Sequence, residues 1–487
     1  MLLPKLRPVH QALAATLVCV PTAWAQQPAT PAPAPSTISA RIAGLDRREG
    51  FVPIVLDHRK GQVLLEFPAD STRLLFCYSL ATGLGSNPVG LDRGANGDCQ
   101  VTRFDRSGDK VLVVFENWNY RSSSPDADLA RTVAESFAPS TVAALPVAAE
   151  EAGRLLVDAT GLVLRDWLDV TGTLQRSGQG TFTLATDRST FYAAHVQAYP
   201  DNSEIEVSLT FQASGAPGPI VNQIAPDGRA ITLRQHLSLV RLPDAGYRPR
   251  AHDPRMGFFG ITFKDYAQPP GASLEQRWIA RHRLERVDPR DPDSPIRNPI
   301  VYYVDRGIPE PLRTATLEGA RFWEQAFDRA GLKGGFRVEL LPEGADPLDV
   351  RYNVVQWVNR NERGWSIGGS LSDPRTGQIL KGMARMDSHR NRTSANLFAA
   401  LAGAGRIDTH FVLGRVRQVT AHEIGHTLGL AHNYIASVYG ADRPGRGSVM
   451  DYPAPRVRVL PDGEIDVAEP YASGPGAFDV LAIRWGY

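Results

Sequence analysis

The segment that most constrains this chain is His422-Glu-Ile-Gly-His-Thr-Leu-Gly-Leu-Ala-His432, which fits the pattern HExxHxxGxxH. Residues four apart lie on the same face of an α-helix, so His422 and His426 can present two imidazole nitrogens to one metal ion. Gly429 can take the left-handed backbone conformation that ends a helix and turns the chain back. His432 can then complete the site from outside the helix. Three protein ligands leave one position open, which is the arrangement of a catalytic zinc.

Glu423 lies beside the first histidine and can act without binding the metal. A carboxylate there can take a proton from the attacking water and pass it to a leaving amine. The alternative is a buried structural helix whose histidines are satisfied by hydrogen bonds. Three histidines, one glutamate and one glycine in register favour the catalytic zinc site.

A methionine follows the zinc motif shortly afterwards, in Ser448-Val-Met-Asp-Tyr-Pro453. A methionine in this position is the Met-turn signature of metzincins. Met450 would then form an apolar floor under the histidines without binding the metal. Taken alone, Met450 would be an ordinary core residue, but its place after the zinc motif favours the Met-turn.

With these motifs, residues 299–487 resemble a metzincin catalytic domain, and more narrowly the secreted bacterial zinc metalloproteases whose upstream regions are domains of unknown function. The resemblance rests on the zinc motif with Asn433 and on Ser448 to Tyr452. Less specific segments support it, namely residues 299–305, 319–327 and 373–377, and more weakly residues 90–94. It implies one catalytic Zn²⁺ and protein or peptide substrates. Relatives usually continue well beyond the last segment, so we expect this sequence to be a truncated or a naturally short form.

Tyr452 stands two residues after Met450, as in the metzincin groups that resemble astacins and serralysins. The resemblance implies that its phenol approaches the zinc or stabilises the oxyanion of the tetrahedral intermediate, and a phenol can donate to developing negative charge. A core tyrosine with a satisfied hydroxyl is the alternative. Asn433 occupies a position where several metzincin groups carry other residues, so no substrate class follows from it.

The start of the chain and its charge bear on location. Lys5 and Arg7 precede an apolar stretch at 12–20, and Ala23-Trp-Ala25 is a small-x-small cleavage site, so residues 1–25 are predicted to be a signal peptide. The apolar stretch is too short to span a bilayer. A net charge of +1 gives no argument for nucleic acid or an anionic membrane as a partner. We therefore predict a secreted or periplasmic bacterial protein without an integral membrane segment, the bacterial source being implied by the resemblance.

The chain of 487 residues is long enough for two or three domains. Residues 26–37 are a Pro/Ala-rich tether, and 38–285 form a β-rich region of unknown role with a faint break near 144–153. Residues 286–298 are a linker rich in proline and charge, and 299–487 are the catalytic domain. The predicted fold class is α+β, with a mixed twisted sheet and long helices after the β-rich region.

Within the catalytic domain the pattern predicts strands at 300–304, 336–341 and 352–358 and a helix over 311–330. Residues 366–371 and 379–386 flank a turn at 373–377. In metzincins the edge strand of the sheet borders the cleft, and 366–371 is the candidate, although an ordinary hairpin is equally consistent. The zinc helix is expected to begin near Asp408 or Thr409.

Cys77 and Cys99 remain after removal of a signal peptide. In an oxidising compartment they can form a disulfide, and two free buried thiols are the alternative. A latency thiol that caps the zinc is disfavoured, because no Pro-Arg-Cys-Gly type segment surrounds either cysteine.

These observations predict a secreted zinc endopeptidase with Glu423 as general base and acid. Two alternatives stay open. A catalytically silent binding or scaffold protein could keep the metzincin fold, although a purely structural metal site has no need of Glu423. A zinc hydrolase of a non-peptide amide would use the same water activation.

Overall fold

Two sheets, one upstream of residue 283 and one mostly downstream of it, organise the α+β fold. The computed structural model describes residues 37–362, 364–403, 405–439 and 447–487. The predicted signal peptide and the predicted tether up to residue 36 lie outside the described residues. The chain from Ser36 to Tyr487 forms one compact unit. The described helices include none with the length and apolarity needed to cross a membrane.

The upstream region is rich in strands, as the sequence predicts. In chain order its strands are β1 Asp46–Arg48, β2 Ile54–Asp57, β3 Gln62–Pro68, β4 Thr72–Leu80, β5 Asn96–Ser107, β6 Lys110–Phe115, β7 Tyr120–Arg121, β8 Ser140–Glu151, β9 Arg154–Asp158, β10 Phe182–Leu184, β11 Thr190–Phe191, β12 Gln197–Ala198, β13 Asn202–Ala213, β14 Ala230–Arg241, β15 Gly260–Asp265, β16 Glu275–Ile279 and β17 Arg281–His282. Its helices are α1 Ile38–Ile42, α2 Ala127–Ser136, α3 Thr160–Val163, α4 Val170–Arg176 and α5 Pro219–Ile224, with 3₁₀ turns at Thr186–Arg188, Ala193–His195 and Pro254–Met256.

Most of these strands form one antiparallel sheet in the order β1-β2-β3-β9-β8-β6-β5-β4-β14-β13-β10, with β11 and β12 also paired to β13. Residues 144–153, where the sequence shows a faint break, lie in β8 and its turn to β9, inside this sheet. Successive side chains of a strand face opposite sides. In β13, Ile205, Val207 and Phe211 therefore enter the apolar core, while Glu204 and Glu206 are buried on the other face.

Cys77 and Cys99 form a disulfide between β4 and β5, where the two residues face each other in register. A smaller sheet has the order β16-β15-β7. β17 ends the upstream region, but it pairs with a strand of the downstream sheet.

The downstream elements are β18 Ile300–Val304, α6 Leu312–Ala320, α7 Phe322–Arg329, β19 Phe336–Leu340, β20 Asn353–Val358, β21 Ile367–Ser372, β22 Gln378–Asp387, α8 Arg390–Ala402, α9 Thr409–Thr427, α10 Ala436–Tyr439, β23 Arg458–Val459, β24 Ile465–Asp466 and α11 Ala477–Gly486. The sheet order is β17-β22-β20-β18-β19, and β21 pairs with β22 alone. Every pair is parallel except β21 with β22. The sheet is thus mixed, as predicted.

The helix predicted over 311–330 is present as α6 and α7. They meet at Arg321, which keeps helical dihedral angles of φ −64° and ψ −11°. The apolar side chains of α7 lie in the core, with Trp323, Ala326 and Phe327 all at 0% exposure. These side chains pack in one apolar cluster with α9 and with Met450.

Candidate metal centre and active-site cleft

The zinc motif begins on α9, and neighbouring residues determine where this helix starts and where it ends. Asp408 caps its start by accepting a hydrogen bond from the amide of Phe411 at 2.7 Å. After its end, Gly429 takes φ +96°, and a Cβ there would lie 2.0 Å from the carbonyl oxygen of Ala280. Glycine is therefore required both by the backbone conformation and by the close approach of Ala280.

The structure brings the three motif histidines together around one point. Their Nε2 atoms lie 3.1 Å apart for His422 and His426, and 3.2 Å apart for each of these with His432. Ligands held tetrahedrally at about 2.0–2.1 Å from an ion are about 3.3 Å from one another. The three nitrogens therefore have the spacing that a bound Zn²⁺ requires.

Hydrogen bonds from the opposite ring nitrogens fix the orientation of two of these rings. Nδ1 of His422 donates to the carbonyl oxygen of Val449, and Nδ1 of His426 donates to that of Leu430, both at 2.7 Å. Each Nε2 is then left with a free lone pair. Burial lowers the pKa of His422 to about 3 and that of His426 to about 4, so both rings are neutral at neutral pH. Neutral imidazoles are what a metal ion binds.

Glu423 is buried one residue after the first histidine, with 6% exposure. Burial raises its pKa to about 7, against the opposing effects of an amide hydrogen bond and of nearby arginines. The amide is that of Gly368 in β21, which lies beside the carboxylate. A group that titrates near neutral pH can both accept and return a proton. Gly368 was not predicted from the sequence, because nothing in its local spacing relates it to α9.

Tyr452 places its hydroxyl 2.7 Å from Nε2 of His432, and its side chain is 59% exposed. It is therefore a residue of the metal centre and not a core tyrosine. A second tyrosine, Tyr434, has its hydroxyl 3.1 Å from Nδ1 of the same histidine. Tyr434 lies two residues after the motif, and no sequence pattern at that position indicates a contact with His432.

Met450 lies beneath the histidines at 0% exposure. A Cβ on Gly425 of α9 would lie 2.2 Å from the Met450 sulfur, so helix and Met-turn are in close contact. The turn is held by Asp479 of α11, which accepts hydrogen bonds from the Ser448 hydroxyl at 2.6 Å and from the Val449 amide at 3.2 Å. Asp479 thus fixes the residue whose carbonyl orients His422.

A cleft of about 840 Å³ runs from His426 along β21. Its far wall comes from the upstream region. The residues around it are Asp98, Cys99, Gln100, Phe115, Glu116, Asn117, Trp118, Asn119, Ala138, Pro139, Ser140, Phe259, Gly260, Ile261, Ala280, Gly368, Gly369, Ser370, Ser372, Pro374 and His426. The upstream region therefore forms one side of the cleft that reaches the metal centre.

The upstream region also contacts the metal-binding loop directly. The amide of Phe259 donates to the Gly429 carbonyl, and the amide of Ala431 donates to the Gly257 carbonyl, both at 2.7 Å. The ring of Phe259 lies 5.7 Å from that of His426, centroid to centroid. The loop that carries His432 is thus paired with a segment far upstream, which the sequence did not predict.

Comparison with protein families gives two matches. Residues 94–286 match a domain of unknown function (DUF5117). Residues 405–487 match the family described as Met-zincin. The chain ends in a Met-zincin domain. The resemblance predicted from the zinc motif is thus confirmed, and the protein is of the metzincin type with an upstream domain of unknown function. No curated protein matches the chain.

The Met-zincin match covers α9, the metal-binding loop, the Met-turn and α11. Phe259 lies in the DUF5117 match, and Gly368 lies outside both matches. The metal centre is therefore completed by parts of the chain that the Met-zincin match does not include.

Proposed function

We propose that this protein is a secreted zinc-dependent endopeptidase. The Met-zincin match supports a zinc metalloprotease in general. The observation that carries the finer proposal is the convergence of three histidine Nε2 atoms 3.1–3.2 Å apart beside a buried carboxylate. When bound there, zinc would polarise the scissile carbonyl and acidify the attacking water.

The chain's own residues supply the remaining chemistry. Glu423, with a pKa of about 7, accepts a proton from the attacking water and delivers it to the leaving amine. The Tyr452 hydroxyl donates a hydrogen bond to the oxyanion that forms on the former carbonyl oxygen. Gly368 places its amide beside the Glu423 carboxylate, where it lowers the pKa of that group against the effect of burial.

An extended peptide fits the edges that border the cleft. β21 pairs with β22 on one side only, so its other edge has no described strand partner. Across the cleft, β5 pairs with β6 only from Thr102 onward, which leaves residues 96–100 without a described strand partner on that side. The free edge of β21 beside the cleft favours backbone pairing with a substrate strand.

The decisive experiment is digestion of an unfolded protein by the zinc-loaded wild type and by the Glu423→Gln variant. Removing the base should lower the rate by about 10²–10⁴-fold at unchanged zinc content. Glu469→Gln, at an exposed position, is the matched control and should cleave like the wild type. New termini inside the substrate chain would identify an endopeptidase.

Other outcomes separate the alternatives. Equal cleavage by wild type and Glu423→Gln would remove Glu423 from the mechanism. Failure of the folded, zinc-loaded wild type to cleave any peptide, together with turnover of small amides, would favour an amide hydrolase. Failure on both would favour the binding or scaffold protein. In the same assay, a good peptide substrate should resist cleavage once its amides opposite Ser370 are N-methylated.

Export from the cytoplasm is supported by two features. Residues 1–25 have the pattern of a signal peptide. The disulfide between Cys77 and Cys99 is of a kind that persists in oxidising compartments. Protein recovered outside the cytoplasm should begin at Gln26, which N-terminal sequencing would check; an N-terminus at Met1 would contradict the proposal.

A further inference from the structure

A second group of metal-binding atoms lies away from the zinc motif, where the upstream sheet meets the loop after β19. His195 comes from a 3₁₀ turn, Glu206 from β13 and Asp346 from the loop, and His236 of β14 lies beside them. Nδ1 of His195 lies 3.0 Å from Asp346 Oδ2 and 3.3 Å from Glu206 Oε2. Nδ1 of His236 lies 3.7 Å from the same Glu206 oxygen and 3.9 Å from the same Asp346 oxygen.

The ligand atoms of His195, Glu206 and Asp346 all lie within 4.8 Å of one another, and Nδ1 of His236 lies beside two of these three residues. Tetrahedral ligands at about 2.0–2.1 Å from an ion are about 3.3 Å apart, which lies within the observed range. Two imidazoles and two carboxylates suit Zn²⁺, and they are also acceptable to Co²⁺ and Mn²⁺. Because all four positions come from protein, the set is closed and resembles a structural site.

The state of His236 points to a cation at this position. Its side chain is 0% exposed, and its Nδ1 has no hydrogen-bond partner. Its other ring nitrogen lies 2.7 Å from Glu204 Oε2. A histidine that donates one ring N–H to a carboxylate and directs the other nitrogen at a metal is a common arrangement in metal sites. Here Glu204 is that carboxylate, and Nδ1 is aimed between Glu206 and Asp346.

Protonation of His236 is the competing explanation. Burial lowers its pKa, but Glu204 and Glu206 raise it to about 10. A proton on Nδ1 would meet no acceptor within hydrogen-bonding distance, since the nearest carboxylate oxygens lie 3.7 and 3.9 Å away. An ion bound by Glu206 and Asp346 would instead lie beside Nδ1 of His236 and give this nitrogen a partner.

Neighbouring residues orient the carboxylates of Glu206 and Asp346 so that an ion could bind between the upstream sheet and the loop after β19. Arg234 pairs with the other oxygen of Glu206 at 2.8 Å, and the Leu348 amide donates to the other oxygen of Asp346 at 2.9 Å. Each carboxylate is thus oriented with one oxygen free for the site. A cavity of about 140 Å³ borders the half-exposed His195 and provides a path for entry.

We propose that His195, Glu206, His236 and Asp346 bind a second divalent metal ion, by their chemistry Zn²⁺, which clamps the upstream sheet to the loop after β19. Three of the ligands lie in the DUF5117 match, and Asp346 lies beyond it. The upstream domain would then be joined to the catalytic region by a metal ion as well as by the chain.

The test is the number of ions per chain after stripping and reloading with Zn²⁺, measured by elemental analysis of the purified protein. We expect two ions in the wild type, one in His422→Gln/His426→Gln and one in His236→Gln/Asp346→Asn. The matched control is His58→Gln/Asp46→Asn, which alters an exposed histidine–carboxylate pair at 3.3 Å and should keep two. A single ion in the wild type that is lost with His422→Gln/His426→Gln would overturn the proposal.

A second measurement does not depend on folding of the variants at the new site. In His422→Gln/His426→Gln, the remaining zinc should show two imidazole and two carboxylate ligands by X-ray absorption. Its removal by a chelator should lower the Tm, and reloading should restore it. A folded protein of this variant with no zinc, or with a Tm that chelation leaves unchanged, would overturn the structural clamp.

Discussion

Tyr452 has an exposed side chain, and its hydroxyl lies 2.7 Å from Nε2 of His432. We expect Tyr452→Phe to lower kcat by about 10²–10³-fold, because one oxyanion donor is lost. The zinc content should not change, because Tyr452 is not one of the three histidine ligands. Steady-state kinetics with zinc analysis would measure both quantities.

Tyr434→Phe is the matched control, since its hydroxyl lies on the opposite side of the same ring, 3.1 Å from Nδ1. Loss of such an outer contact should weaken zinc affinity by about 10–100-fold, with a smaller effect on kcat at saturating zinc. An unchanged kcat in Tyr452→Phe would remove this tyrosine from the mechanism.

The buried carboxyl of Asp479 makes the free energy of unfolding depend on pH. Burial raises its pKa from 3.8 to about 6, although Ser448, Gly476 and Val449 donate hydrogen bonds to it. The folded state therefore holds the proton of Asp479 more tightly than the unfolded state does. The protonated carboxyl contributes fully to the free energy of unfolding below pH 3.8, and this contribution is lost as the pH rises through 6. The loss is about 3 kcal/mol in the free energy of unfolding.

Comparison with Asp479→Asn isolates this contribution. The stability advantage of the wild type over the variant should shrink by about 2.4 kcal/mol between pH 4 and pH 7. Urea denaturation of zinc-free protein would measure it without interference from metal release. Parallel stability curves for the two proteins would contradict the assignment.

At the scale of elements, β21 is in close contact with α9 at Gly368. A Cβ on Gly368 would lie 2.1 Å from the Glu423 carbonyl oxygen and 2.8 Å from the Cβ of His426. Neither atom can move without shifting a residue of the metal centre. We expect Gly368→Ala to lower kcat/KM by at least about 10-fold, since misplacement of catalytic groups by about 1 Å can cost 10²-fold.

Gly369→Ala provides the control in the same strand. Its nearest neighbour, Asn96 Nδ2, would lie 3.4 Å from the new Cβ, so the substitution should be tolerated. Competition with a chromogenic chelator would add the zinc affinity to the kinetic comparison. Equal effects of the two substitutions would show that β21 does not constrain α9.

The elements that could be predicted from the sequence are those with local determinants. The cap at Asp408, the turn at Gly429 and the hairpin around 373–377 each follow from a few neighbouring residues. The contacts of Phe259, Gly368 and Asp479 with the metal centre join positions far apart in the chain. No spacing rule covers such pairs, so only the folded structure reveals them.

For the whole molecule, a buried cluster of charged residues joins the upstream region to the downstream region. The Arg360 side chain is 0% exposed and contacts Asp92 at 2.8 Å and Asp387 at 2.9 Å. The linker predicted at 286–298 separates Asp92 from Arg360 and Asp387 in the sequence, yet the three side chains meet in one buried cluster. Because these charges are desolvated, each one destabilises the folded protein unless its oppositely charged partners are present.

Removing one partner should therefore destabilise both regions together. We expect Asp92→Asn to lower the free energy of unfolding by about 3 kcal/mol, because Arg360 keeps its charge in a buried place. Glu310→Gln breaks an exposed pair with Arg313 at 2.8 Å and should cost less than about 1 kcal/mol. Circular dichroism and tryptophan fluorescence should report one shared transition that shifts in Asp92→Asn. Two separate transitions in the wild type would mean that the regions unfold independently, and the ion pair would then not be what couples the cleft wall to the metal centre.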